Sequence, residues 1–173
     1  FGTSMHIDAD KDGHFVIVWD NGYGQVNTAT GQFTSGVLGL TYSMGNIVVT
    51  NLTDLGLNPD VCLIYDGNRS EYNVHVTYIG LTSGDLIIND YDWSDLAAGG
   101  AVFATNTVTK SNGSDVFSFP RIACPADDNN YVDDWTVVLE SYDGGNQYFN
   151  IIGYNSVSAT VSSVITYNDG VST

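Results

Sequence analysis

The stretch His6-Ile-Asp-Ala-Asp-Lys-Asp-Gly-His-Phe-Val-Ile-Val-Trp-Asp20 limits the fold more than any other. A carboxylate-rich turn runs directly into an alternating apolar strand, and two later segments repeat that layout. Phe15 to Trp19 is β-branched and aromatic, with Asp12-Gly13 before it and Asp20-Asn-Gly22 after it, the punctuation of a short strand between turns. A returning strand follows at Gln25-Val-Asn-Thr28. The second copy opens at Pro59-Asp-Val-Cys62, continues as Tyr72-Asn-Val-His-Val-Thr-Tyr78, turns at Thr82-Ser-Gly-Asp85 and returns as Leu86-Ile-Ile-Asn89. The third opens at Pro120-Arg-Ile-Ala-Cys124, passes Asp127-Asp-Asn-Asn130, forms Trp135-Thr-Val-Val-Leu-Glu140, turns at Asp143-Gly-Gly-Asn146 and returns as Gln147-Tyr-Phe-Asn-Ile-Ile152.

Met5, Pro59 and Pro120 hold equivalent places, so the spacing is 54 residues and then 61. Thr-, Gly- and Val-rich segments between the copies, such as Leu38 to Tyr42, Ile47 to Thr50 and Ala101 to Thr105, supply further strands. The expected architecture is all-β: three blade-like four-stranded antiparallel meanders over about 5–58, 59–119 and 120–173, arranged like a β-propeller or as stacked sheets. A β-sandwich is the alternative. At 173 residues and without a linker-like segment, the chain reads as one domain. Only Trp93-Ser-Asp-Leu-Ala-Ala98 reads as helical, for about one turn.

Charge narrows the partners. Twenty acids, all but Glu71 and Glu140 being Asp, face only Lys11, Arg69, Lys110 and Arg121, a net charge of −16. Such a surface repels nucleic acid and anionic membranes, which are held by Lys and Arg. Asp favours turns and oxygen-rich loops, which points to cations, neutral glycans or other protein chains. No segment has the length and apolarity of a membrane span. Cys62 and Cys124 stand near one edge of neighbouring units. Either they form a disulfide or they are two buried thiols, and their one-residue offset from the paired prolines would aim them at opposite faces of regular strands.

Candidate sites follow from residue chemistry. Asp8, Asp10 and Asp12 alternate and are closed by Gly13, a spacing that can bring oxygens together on calcium. This resembles the start of EF-hand, dockerin and integrin-type calcium loops, but Val16 and Trp19 stand where those loops carry a closing acid. Ser141-Tyr-Asp-Gly-Gly-Asn-Gln-Tyr148 is similar to the Asp-box of sialidase-like propellers, a structural turn motif. No nucleophile elbow, zinc motif or phosphate loop occurs, so no catalytic residue is assigned. His75 alternates with Val74 and Val76, which directs it away from the core, and His6 and His14 flank the acidic turn. Trp19, Tyr78, Trp93 and Trp135 are the candidate ligand or interface aromatics. Asn51, Asn68 and Asn112 begin glycosylation sequons.

Pro-Arg-Ile-Ala-Cys124, Trp135-Thr-Val-Val-Leu-Glu140 and Tyr148-Phe-Asn-Ile-Ile-Gly-Tyr-Asn155 together resemble the repeats of large secreted bacterial β-propeller proteins. That resemblance implies an extracellular or cell-surface setting and no single activity. Three blades leave the first and last sheets open, and open sheets template association. The expectation is therefore a non-enzymatic structural or adhesive subunit that assembles with copies of itself into a fibre, surface layer or multi-chain propeller. A carbohydrate-binding, lectin-like module is the alternative.

Overall fold

The computed structural model describes residues 4–35, 42–44, 48–67, 69–98, 102, 104–109, 116–125, 134–143, 146–155, 160–161 and 165–172. In chain order the strands are β1 Met5–Ala9, β2 His14–Asp20, β3 Gln25–Ser35, β4 Tyr42–Met44, β5 Val48–Asp66, β6 Glu71–Gly80 and β7 Leu86–Asp92. The helix α1, Trp93–Ala97, follows. The chain continues with β8 Ala104–Val108, β9 Val116–Ala123, β10 Trp135–Asp143, β11 Asn146–Asn155, β12 Thr160–Val161 and β13 Ile165–Ser172. The molecule is all-β, and every strand pairing among the described residues is antiparallel.

Pairing runs β1-β2-β3-β5-β6-β7-β8, with β4 on the end of β3, while β9, β10 and β11 form a second sheet completed by β12 and β13. The long strand β5 divides the first path. Its early residues, Val48 to Leu55, pair with β3, and from Gly56 onward it pairs with β6. The result is three antiparallel layers. The first is β1, β2, β3 and the start of β5; the second is the rest of β5 with β6, β7 and β8; the third is built on β9, β10 and β11. Among the described strands, no layer closes on itself. The unit boundary thus falls inside a strand, ahead of Pro59, and β9 begins ahead of Pro120.

The apolar alternation explains the stacking. Val16, Val18 and Val26 of the first layer pack on Val61, Val74, Val76, Tyr78 and Tyr91 of the second, with Leu96 of α1 completing this core. On the opposite face of the second layer, Cys62, Ile79, Leu86 and Ile88 pack on Ile122, Trp135, Val137, Leu139 and Ile152 of the third. The middle layer is buried on both sides, so every residue from Tyr72 to Gly80 of β6 is buried. This corrects the expectation for His75. It does point away from Val74 and Val76, but that direction leads into the second core, where His75 is fully buried and its Nδ1 lies 2.6 Å from Asp90 Oδ1.

Two bulges repeat the same device. In β5 one extra residue is accommodated between Leu57 and Asp60, with Asn58 at φ 53°, and in β9 one is accommodated beside Val138 and Glu140, with Phe119 at φ 50°. Each of these left-handed residues precedes a proline, Pro59 or Pro120. Gly56 lets β5 pass directly beneath the Tyr78 ring, which any Cβ there would strike.

Candidate functional site

The acidic turn between β1 and β2 is built by Asp10. Its Oδ1 accepts the backbone N–H groups of Asp12 (2.9 Å) and His14 (2.8 Å), and its Oδ2 lies 3.0 Å from His14 Nδ1. Burial alone would raise the Asp10 pKa. Hydrogen bonds from Tyr72 and His14 outweigh it and hold the carboxyl below its ordinary value. Tyr72 donates to Asp12 Oδ2 at 2.9 Å, and burial together with the neighbouring Asp10 and Asp12 carboxylates pushes its phenol far above the usual range. Asp8 faces the second layer, where its Oδ2 accepts the Leu63 N–H at 2.8 Å. The three expected calcium ligands are therefore directed to different protein donors, and a cation would compete with Leu63 and Tyr72 for their oxygens. Among the described residues, no three His, Cys, Asp or Glu side chains are grouped to hold a metal ion.

Around this turn the aromatic residues pack on one another. The His14 ring lies 4.4 Å from Tyr72 and 5.1 Å from Trp93, and Tyr72 also meets Tyr65 at 4.9 Å. Trp93 donates its indole N–H to the Phe15 carbonyl at 3.3 Å. Nearby, Arg69 spans Asp66 and Asp92, each at 2.8 Å, and also reaches Asn73. These contacts lock the end of the first two layers together.

Of the four aromatics expected at a ligand site or interface, Tyr78 and Trp135 are core residues. Tyr78 accepts a hydrogen bond from buried Asn89 at 3.0 Å. Trp135 stacks on Tyr154 at 5.4 Å, and its indole nitrogen finds no acceptor among the described residues. Trp19 and Trp93 remain half-buried. Of the sequons, Asn68 and Asn112 lie outside the described residues, as does the Asp127 to Asn130 turn; the backbone of Asn51 pairs with Asn27 in the first layer. The Asp-box resemblance also falls partly outside them, at 144–145.

Sequence patterns gave no sign of the seam along β1, β5 and β9. Asp60 is the joint. One of its oxygens lies 3.2 Å from His6 Nδ1 on β1, and the other accepts the Ile122 N–H on β9 at 2.9 Å. Two residues on, Cys62 forms a disulfide with Cys124, just past the end of β9. Their offset does put them on opposite faces, and stacking turns those faces toward each other: Cys62 lies on the second-layer face that meets the third layer, and Cys124 lies with Ile122 on the third-layer face that meets the second. A cleft of about 350 Å³ lined by Ile7, Asp8, Asp60 and Pro125 runs along this seam.

Exposed apolar side chains gather at the two ends of the stack. Met5 and Ile7 are 68% and 60% exposed on the outer face of the first layer, and Val138, Phe149 and Ile151 are about 40% exposed on the outer face of the third. No family model, curated protein or solved structure matches the chain. Among the described residues no helix is long and apolar enough to cross a membrane, and the disulfide is compatible with an oxidising environment.

Proposed function

We propose that the chain is a non-enzymatic, extracellular structural or adhesive subunit that assembles with copies of itself, its three layers acting as consecutive blades of a propeller-like ring or stacked array. One observation carries this reading. The inner faces of all three layers are sealed in two cores, whereas the outer faces of the first and third layers expose large apolar side chains on a chain of net charge −16. Apolar faces at the open ends of a stack are sites for further sheets. The seam of β1, β5 and β9 supports the propeller-like arrangement, because the first strand of each layer meets the first strand of the next. The disulfide and the sparse Lys and Arg suit a life outside the cell.

Electron microscopy of the native material tests the reading. The expected result is regular multi-copy particles, either rings or filaments. Isolated single copies whose Trp19 and Trp93 fluorescence responds to added saccharides would replace it with the lectin-like alternative.

A further inference from the structure

Building on that reading, we infer which surfaces meet: the outer face of the β1–β2 hairpin of one copy packs on the outer face of the β10–β11 hairpin of the next. The contact joins unlike faces, head to tail. The first surface is set by register. Ile7 lies opposite Ile17, and Met5 opposite Trp19, so these four side chains share one face, and the alternate residues His6 and Asp8 turn inward to Asp60 and Leu63. No charged residue interrupts this strip. On the third layer, Val138 lies opposite Ile151 and Glu140 opposite Phe149, while Arg121 flanks Val138 on β9. Among the described side chains of that face, Glu140 is matched by Arg121, one of the chain's four cations.

Three observations favour a second copy as the occupant. Among the described residues, seven of the eleven exposed large apolar side chains belong to the strands of the first and third layers. A chain with twenty acids and four basic residues repels its copies wherever Asp is displayed, so close approach is favoured at these apolar strips. Within the chain, layers stack with one polarity, each offering its later face to the earlier face of the next. Joining the third layer of one copy to the first layer of another continues that relation, whereas joining two first layers would create one that occurs nowhere in the chain. Phe119 adds a fourth feature. It is a bulky residue held at φ 50° yet 52% exposed at the margin of the third-layer face, and strain of this kind gathers at functional surfaces.

The test uses Ile7→Lys and Ile151→Lys, each at an exposed position, with Ile7→Ser and Ile151→Ser as milder versions and Tyr23→Lys, at an exposed turn, as control. Sedimentation velocity is measured on each variant and on mixtures. Each Lys variant should self-associate about tenfold more weakly or less still, because a cation is buried in an apolar contact, while Tyr23→Lys assembles as the unaltered chain does. Mixing the two Lys variants should give pairs, since each retains the face the other has lost. The inference is overturned if either variant alone forms stable dimers, which means like faces meet, or if both variants assemble as fully as the unaltered chain, which means the strand edges make the contact. A single-copy unaltered chain at every concentration would instead refute the proposed function itself.

Discussion

Asp60 links three strands that are far apart in sequence, although it sits in an ordinary Pro-Asp pair. Nothing in a local pattern distinguishes it from the turn-forming Asp residues, because its partners, His6 and the Ile122 N–H, are set by layer stacking. Asp60→Ala should cost about 2–3 kcal/mol, since it strands a buried backbone donor and removes a charged acceptor; urea unfolding of the variant measures this. Asp10 is different, because its role as a turn-builder was legible in Asp8-Ala-Asp-Lys-Asp-Gly13. The direction of its carboxyl toward backbone donors was not. Its pKa is lower in the folded protein than the ordinary value of 3.8, so its stabilising contribution is complete above about pH 4 and disappears as the pH falls through the lowered folded value. The stability gap between the unaltered chain and Asp10→Asn should therefore be wide at neutral pH and close on acidification. A gap that widens below pH 4 would reverse that sign.

Among the elements, β2, β6, β7, β10 and β11 were readable because each is a β-branched or aromatic run between Gly and Asp turns, and the single turn of helix at α1 was readable from Trp93-Ser-Asp-Leu-Ala-Ala98. The 19-residue β5 was not. Pro59 reads as the start of a strand, yet it sits in a bulge, where the donor it lacks is not needed by the ladder. Gly56, where β5 changes partner, is required because Tyr78 covers it. Gly56→Ala should destabilise by about 1–3 kcal/mol through overpacking, measured as a shift in the urea midpoint with unchanged slope. One-sided alternation also misled for His75. A strand buried on both faces places polar residues in a core, provided each finds a partner such as Asp90.

At the scale of the whole molecule, the three-layer stack depends on its seam and exposes apolar side chains at both ends. The Cys62–Cys124 bridge spans 62 residues and ties the second layer to the third, so reduction should cost about 4 kcal/mol by loop-closure entropy, seen as a lower melting temperature in reductant. The net charge of −16 sets the salt dependence. Screening weakens repulsion between copies, so association should strengthen as salt is raised, opposite to an assembly held by ion pairs. That the chain is layered β could be read from its sequence; that the ends of the stack are apolar required the register, since Ile7 and Ile151 look no different in sequence from their buried neighbours. The central claim is tested most directly by sedimentation velocity of the unaltered, oxidised chain over rising concentration. Species heavier than the 18.6 kDa chain that grow with concentration are the predicted result, and an 18.6 kDa species alone throughout would contradict it.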